Sequence, residues 1–211
     1  MTQMVLEPEP AASADMFGDR IELARTFVAQ LALHGETRGL IGPLEIPRLW
    51  TRHVLNSGII APLFTSGARV ADVGSGAGLP GVVLAIARPD IEWLLIEPME
   101  RRVLWLQEQV ALLGLTNVEL RRARAEDVEH GCVDQLTARA VSALRKLIPL
   151  TAPLVRDGGE LILLKGAGAN SEIDAAAKQA RRFSLSDVRV EIVGEGVLAD
   201  PTRVVRARVR A

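Results

Sequence analysis

The chain has 211 residues, of which 48% are hydrophobic and 24% are charged, and its formal net charge is −1 at pH 7. This length fits one α/β domain with a short extension, and no apolar run reaches the roughly 18 residues that a membrane-spanning helix needs. A single cysteine, Cys132, excludes a disulfide framework and a cysteine-based metal cluster within one chain. We therefore expect a cytoplasmic protein without a membrane or metal partner.

The N-terminal third is predicted to be helical. Residues 1–16 are acidic, contain two prolines and lack the basic and apolar regions of a signal peptide, which predicts a disordered leader. Apolar residues at helical spacing predict an amphipathic helix over 17–34 and a second helix over 48–64. We interpret 17–66 as a helical extension that packs on the core or caps a cleft.

From residue 69 onward, short apolar runs alternate with amphipathic stretches, which predicts repeated βα units. The predicted strands are 69–73, 91–96, 118–121, 135–140, 160–165, 187–193 and 203–208. The predicted helices are 79–88, 99–113, 142–155 and 171–183. Such units form a mostly parallel, Rossmann-like sheet, and the last two strands, which have no helix between them, predict an antiparallel hairpin at its edge. Residues 67–211 are assigned to this single α/β unit.

A glycine-rich loop follows the first predicted strand directly. It begins at Asp72 and contains Gly74, Gly76, Gly78 and Gly81, which are four glycines within eight residues. Glycine allows positive φ and close approach of the backbone to a ligand, and the start of the next helix offers unpaired N–H groups. A tight turn without a ligand is the alternative, but this density of glycines favours a nucleotide-like cofactor.

The spacing of these glycines separates two cofactor classes. Loops that bind NAD have the pattern G-x-G-x-x-G and approach a pyrophosphate, whereas this loop is G-x-G-x-G. Asp72, two residues before the first glycine, suits a cationic amine or sulfonium and is a poor neighbour for pyrophosphate. Glu97 ends the second strand about 20 residues later and could accept ribose hydroxyls, and Ala125 and Glu126 could meet an adenine. S-adenosylmethionine is favoured over NAD, and an NAD-dependent oxidoreductase is disfavoured.

Several further motifs occur in order along the chain. They are Arg52-His53-x-x-Asn56-Ser57, the continuation Leu79-Pro80-Gly81, Arg88-Pro89, Arg101-Arg102, Ala125-Glu126, Arg139-Ala140 and Leu164-Lys165-Gly166. With the glycine loop, they resemble the bacterial 16S rRNA guanine-N7 methyltransferases, the RsmG or glucose-inhibited division protein B (GidB) family, and most of all its actinobacterial members. The resemblance covers the chain from Phe17 to its end.

This resemblance implies a class I methyltransferase that uses S-adenosyl-L-methionine. Its target would be N7 of a guanine in the 530 loop of 16S rRNA, position 527 in the usual rRNA numbering, and its loss would alter streptomycin susceptibility. The family pattern implies cofactor contacts from Gly74, Leu79, Ala125, Glu126 and Arg139. The glycine loop and the end of the second strand add Asp72, Ser75, Gly76, Gly78 and Glu97 as predicted cofactor contacts.

Methylation of guanine N7 is a displacement at the sulfonium carbon by a free lone pair, so it requires no general base. A bidentate contact between arginine and guanine would occupy N7. We therefore predict that Arg139 holds the cofactor carboxylate, or approaches O6 or a phosphate from the side. Arg52, His53 and Lys165 are predicted RNA contacts, with a hydrogen-bonded histidine on a helix face as the alternative for His53.

Two departures from the family pattern concern the positioning of RNA. Asn56 stands where many relatives have aspartate, and residues 34–41 lack the Trp-Asn and Asn-Leu-Thr patterns of many relatives. The expected partner is 16S rRNA or the 30S subunit, and the protein is expected to be a monomer. A net charge of −1 does not by itself indicate a nucleic-acid partner, so RNA binding is expected to depend on local arginine clusters. The alternative functions are a methyltransferase that acts on a small molecule or protein, and a ribosome-associated module without turnover.

Overall fold

The computed structural model describes residues 6–210 of the protein. Seven strands form one sheet in the order β3-β2-β1-β4-β5-β7-β6. They are β1 (Arg69–Val73), β2 (Glu92–Ile96), β3 (Val118–Arg121), β4 (Val133–Arg139), β5 (Val155–Lys165), β6 (Leu185–Val193) and β7 (Thr202–Val209). Strands β1 to β5 pair in parallel, and β7 is antiparallel to both of its neighbours. The predicted Rossmann-like sheet with an antiparallel C-terminal hairpin is confirmed.

Helices cover both faces of this sheet. The α-helices are α1 (Ala12–Phe17), α2 (Ile21–His34), α3 (Asn56–Gly58), α4 (Gly81–Ala87), α5 (Glu100–Leu112), α6 (Leu144–Thr151) and α7 (Ala169–Arg182). Short 3-10 helices occupy Gly18–Arg20, Pro43–Arg48, Ala61–Leu63, Ala125–Asp127 and Ala152–Leu154. Within the part of the chain that the structure describes, no helix is both long enough and apolar enough to cross a membrane.

Successive side chains of each strand point to opposite faces, which builds two apolar cores. On β2, Leu95 belongs to the core under α2, α4 and α5, whereas Leu94 belongs to the core under α6 and α7. The extension contributes to the first of these cores through Phe27 and Leu31, which are both fully buried. The extension therefore packs on the sheet itself, beside the helices that follow β1 and β2.

The prediction of a disordered leader over residues 1–16 is wrong for the part of it that the structure describes. This part contains most of α1, whose last residue, Phe17, is 5% exposed and lies in the core with α2. Upstream of α1, the Glu7 carboxylate accepts a hydrogen bond from the backbone N–H of Thr51 at 2.9 Å. Composition alone predicted disorder here, because it does not show that an acidic residue such as Glu7 has a partner in the extension. Residues 1–5 lie outside the described residues.

The segment 48–64, which is predicted to be one helix, consists of several short helices of different types. A 3-10 helix ends at Arg48, a π-helix spans Leu49–Leu55, and the three residues of α3 follow. A π turn changes the register of side chains relative to an α-helix and is frequent at functional sites. In this protein the π-helix carries Arg52 and His53.

Candidate active site

A cleft of about 330 Å³ opens at the carboxyl edge of the sheet. Its walls come from the ends of β1, β2 and β4 and from the turn after β3, next to the point where the strand order reverses between β1 and β4. Open parallel sheets bind ligands at this place. Five of the predicted site residues line the cleft: Gly74, Glu97, Ala125, Glu126 and Arg139.

The glycine loop follows β1, meets the cleft at Gly74 and packs on α5. Gly74, Gly76 and Gly78 have φ values of 76°, 56° and 94°, in the left-handed region that favours glycine. The indole N–H of Trp105 in α5 donates a hydrogen bond to the Ala77 carbonyl at 3.0 Å. The loop is therefore held from below by a fully buried tryptophan.

Replacement of Gly78 by alanine is expected to destabilise the protein and weaken cofactor binding. A Cβ at Gly78 would lie 2.7 Å from Val82 Cγ2 and 3.0 Å from Phe27 Cζ, so overpacking adds about 1–3 kcal/mol to the strain of a positive φ. Gly67→Ala is the matched control, because Gly67 has φ +71° and open space around it. Thermal unfolding with and without cofactor should show the larger loss at Gly78, and equal losses at both sites would contradict this account of the loop.

Asp72 lies beneath the glycine loop and is fully buried. Its Oδ2 accepts the backbone N–H of Gly81 at 3.0 Å, and its Oδ1 has no partner among the described residues. Burial raises the pKa of this carboxyl to about 7, against the opposing effects of the Ser75 hydroxyl, the Gly81 N–H and the Arg139 charge. A buried carboxylate oxygen without a donor is costly, so a cation or donor from a bound ligand would satisfy it.

Glu97 joins the glycine loop to the segment after β2. It is 2% exposed, and its two carboxylate oxygens accept the N–H groups of Gly76 at 3.0 Å and of Met99 at 2.9 Å. Each oxygen keeps a second lone pair, and the carboxylate borders the cleft. The geometry is compatible with acceptance of ribose hydroxyls, which stays a prediction.

The remaining predicted cofactor residues divide into two groups. Ala125 and Glu126 lie on the 3-10 turn after β3 and border the cleft. The Ser75 hydroxyl instead donates to the main-chain carbonyl of Asp72 at 3.0 Å, and Leu79 is 7% exposed. Ser75, Gly76, Gly78 and Leu79 are absent from the cleft wall and shape the loop from behind it.

Arg139 ends β4 and borders the cleft as a partly buried cation. Burial lowers the pKa of its guanidinium to about 10, and the charge of Asp72 opposes this shift. Its Nη2 donates to the imidazole Nδ1 of His53 at 3.1 Å. Ala140 follows with a positive φ of 56°, and a Cβ at Gly74 would lie 2.9 Å from Val141 Cγ2. The turn after Arg139 thus lies directly against the glycine loop.

His53 has internal partners on both ring nitrogens, and its role as an RNA contact stays a prediction. Its side chain is 13% exposed, its Nδ1 faces Arg139, and its Nε2 lies 2.7 Å from Glu45 Oε2. Burial and the charge of Arg139 lower the pKa of this imidazole. These contacts fit the hydrogen-bonded histidine of the alternative interpretation, and Glu45, eight residues earlier in a Gly/Pro-marked connection, is a partner that sequence patterns did not indicate.

Lys165 also makes contacts inside the domain, and its role as an RNA contact stays a prediction. Its side chain is 9% exposed, and its ammonium donates to the Ser142 carbonyl and pairs with Glu172, both at 2.8 Å. Lys165 therefore braces the turn after β4 against α7. That Arg52 contacts RNA stays a prediction. Its side chain is 55% exposed, and its guanidinium lies 3.0 Å from Glu45.

The two departures from the family pattern are both built into internal contacts. The Asn56 amide donates to the hydroxyl of Thr202, at the start of β7, at 2.6 Å. In the segment 34–41, Arg38 pairs with Glu108 at 2.6 Å and lies over the Trp105 ring at 5.3 Å from its centroid. Both contacts tie the extension to the sheet domain.

Comparisons with known proteins agree with this geometry. A family model described as GidB, rRNA small subunit methyltransferase G, matches residues 20–199. A protein of Leifsonia xyli subsp. xyli named ribosomal RNA small subunit methyltransferase G is 65% identical over 211 residues, which cover 100% of both chains. A protein of the same name from Clavibacter michiganensis subsp. michiganensis is 61% identical over 207 residues, 98% of each chain. Among solved structures, M. jannaschii TYW2 in complex with AdoMet has a TM-score of 0.59 at 20% identity, covering 77% of this chain and 78% of that chain, which shows a shared fold.

Proposed function

The chain belongs to the GidB family of ribosomal RNA small subunit methyltransferases, and from this premise we propose that it methylates N7 of a guanine in the 530 loop of 16S rRNA, position 527 in the usual rRNA numbering. The family match carries the proposal. It supports an S-adenosylmethionine-dependent enzyme that acts on small-subunit rRNA. The choice of nucleotide and atom rests on the motif resemblance. We keep the predictions that residues 67–211 form the catalytic unit, that 17–66 form its extension, and that the protein acts in the cytoplasm as a monomer.

The residues around the cleft fit S-adenosylmethionine, which supplies an electrophilic methyl group on a sulfonium when it is bound. The unpartnered Oδ1 of Asp72 suits its cationic methionine end, and Glu97 suits its ribose hydroxyls. Ala125 leaves room beside Glu126 for the adenine ring, and Arg139 suits the carboxylate. These four roles are proposals.

The electrostatics of the cleft suit a reaction without proton abstraction. Both oxygens of Glu97 already accept backbone N–H groups, and the Nδ1 lone pair of His53 faces Arg139. Guanine N7 has its own lone pair, so the protein has to align the two reactants and balance a positive charge that moves from sulfur to the base. The buried carboxyl of Asp72 and the guanidinium of Arg139 are the groups that we assign to this task.

Exposed cations lie around the cleft at the carboxyl edge of the sheet. At the carboxyl edge the segments after β2, β3 and β4 carry exposed cations with no carboxylate partner among residues 6–210, namely Arg101, Arg124, Arg145 and Lys146. At the amino edge, the exposed Arg156 pairs with Asp134 at 2.5 Å. Unpaired cations around the cleft mouth suit RNA phosphates, although the net charge of the whole chain is −1.

The double variant Arg124→Ala/Arg145→Ala is expected to weaken RNA binding in a salt-dependent way. Each lost phosphate contact should lower the slope of log affinity against log salt concentration by about one, so the double variant should lose about two. Filter binding of 16S rRNA fragments over a salt series measures this slope. Arg156→Ala is the matched control, because Arg156 is exposed but paired at the opposite edge. An unchanged slope in the double variant would remove this surface from the RNA interface.

The reaction itself can be tested with 30S subunits, and in parallel with naked 16S rRNA, from cells that lack the protein. The purified protein is incubated with either substrate and methyl-labelled S-adenosylmethionine, and 7-methylguanine is located by borohydride and aniline cleavage followed by primer extension. A single stop at the 530-loop guanine is the expected result. Label elsewhere in the RNA would keep the methyltransferase and discard the target. Cofactor binding without any label in RNA would favour a small-molecule or protein substrate, or a module without turnover.

A further inference from the structure

A row of polar side chains runs from the extension to Arg139 at the cleft and on to the buried carboxyl of Asp72. Glu45 Oε2 lies 2.7 Å from His53 Nε2, and His53 Nδ1 lies 3.1 Å from Arg139 Nη2. Beyond Arg139, the field of the buried Asp72 carboxyl acts on the guanidinium. These residues come from the 3-10 helix Pro43–Arg48, the π-helix, β4 and β1, so the row exists only when the extension is docked on the sheet.

The two neighbours of His53 in this row, Glu45 and Arg139, fix the protonation state of its imidazole through the hydrogen bonds that they can make. A guanidinium can only donate, so Nδ1 of His53 must be the acceptor and carry no proton. An ionised carboxylate can only accept, so Nε2 must carry the proton; the pKa of Glu45 is lowered, with His53 and Arg52 offsetting the effect of burial. His53 is therefore neutral and in one tautomer, with both ring nitrogens occupied.

This arrangement sets the orientation of Arg139. The arginine side chain is long and has several rotatable bonds, but its guanidinium is planar, so a hydrogen bond at one Nη atom restrains the whole plane. Only Nη2 is hydrogen-bonded within the described residues, and Arg139 borders the cleft. The other N–H groups of the fork are thus left for a ligand.

We propose that His53 is a positioning residue that holds the guanidinium of Arg139 toward the cleft and touches neither cofactor nor RNA. This inference rests on the proposed function, because it takes Arg139 as the group that aligns the reactants. It assigns a role in the reaction to the extension, through the bond that Glu45 makes to His53.

Two amide substitutions test the two hydrogen bonds of His53, to Arg139 and to Glu45, one at a time. In His53→Asn, the amide oxygen lies two bonds from Cβ, as Nδ1 does, so an acceptor for Arg139 is kept and the reach to Glu45 is lost. In His53→Gln, the amide nitrogen lies three bonds from Cβ, as Nε2 does, so the bond to Glu45 is kept and the acceptor for Arg139 is lost. His130→Asn is the control at an exposed histidine remote from the cleft.

Methyl transfer to 30S subunits is then measured for each variant, with its unfolding temperature. We expect His53→Gln to lose about 10- to 100-fold in kcat, with the KM for RNA within about threefold, whereas His53→Asn keeps kcat within about fivefold of the parent. Equal losses in the two variants, or a loss confined to the RNA KM, would overturn the positioning role.

A second measurement does not depend on activity or on folding of the variants. Nitrogen NMR of the ¹⁵N-histidine-labelled parent protein reports the protonation of each ring nitrogen, and we expect a neutral His53 with the proton on Nε2. A proton on Nδ1 would overturn the proposal even if the rRNA reaction is confirmed. The expected tautomer together with no methyl transfer to any rRNA substrate would instead count against the proposed function alone.

Discussion

Arg139→Ala is expected to lower kcat for methyl transfer by about 10²- to 10³-fold, the usual effect of removing one aligned donor from an active site. Arg139 borders the cleft between the turn after β4 and the glycine loop. Without it, the reactants lose the group that we propose to align the cofactor carboxylate or guanine O6. Single-turnover methylation of 30S subunits at saturating cofactor measures the effect on the chemical step.

The fold should survive this substitution. Burial already lowers the pKa of the Arg139 guanidinium to about 10, so the native state gives up hydration of this charge, and its removal relieves that cost. Arg139→Lys keeps the charge without the planar fork and is expected to recover less than about a tenth of the activity, because fork geometry rather than charge is what is needed. Arg156→Ala at the amino edge serves as a control for the loss of an arginine. Normal turnover by folded Arg139→Ala would exclude Arg139 from the mechanism.

Asp72→Asn is expected to have opposite effects on stability and on cofactor binding. Burial raises the pKa of Asp72 from its usual 3.8 to about 7, so the native state binds this proton more tightly than the unfolded chain does. The stability linked to that proton is fully present below pH 3.8 and is lost as the pH rises through about 7. Asparagine cannot ionise, and its amide oxygen can still accept the Gly81 N–H, so this loss should vanish in the variant.

The melting temperatures of Asp72→Asn and the parent should therefore be similar below about pH 3.8, diverge in favour of the variant between about pH 3.8 and 7, and differ by a constant amount at higher pH. The limiting gain is about 4 kcal/mol in the free energy of unfolding, from about 1.36 kcal/mol per pH unit of pKa displacement. Loss of the charge should weaken binding of S-adenosylmethionine about 10- to 100-fold, since a hydrogen bond to a charged group contributes about 1.5–3 kcal/mol. Calorimetry measures both quantities. A lower melting temperature at alkaline pH would contradict the burial argument, and an unchanged dissociation constant would exclude Asp72 from the cofactor site.

The parts of the fold that were predictable from sequence are those with local causes. The strand Arg69–Val73 and the strand Val118–Arg121 have the predicted bounds, because a short apolar or alternating run between turn residues leaves little freedom. The glycine loop was identified for the same reason, since its conformation needs glycine at particular positions. For the majority of the predicted helix ends, the observed end differs from the predicted one by one or two residues.

The parts that were not predictable depend on partners distant in the sequence. Lys165 pairs with Glu172 inside the domain, and a strand-end lysine looks the same whether it faces solvent or a carboxylate. His53 and Arg139 are 86 positions apart, and the sequence carries no local sign that the two side chains meet. The π-helix is likewise buried in the core beside the sheet, whereas periodicity alone indicated an uninterrupted α-helix.

The hydrogen bond from Trp105 to the Ala77 carbonyl gives the protein an intrinsic optical reporter. The chain contains three tryptophans and no tyrosine, so its near-ultraviolet emission comes from Trp50, Trp93 and Trp105. All three are buried, but only Trp105 donates its indole N–H to the glycine loop. Ligand binding that moves this loop should change the emission of Trp105 at once, so a stopped-flow fluorescence trace on unlabelled protein would time cofactor entry, and Trp105→Phe would silence it.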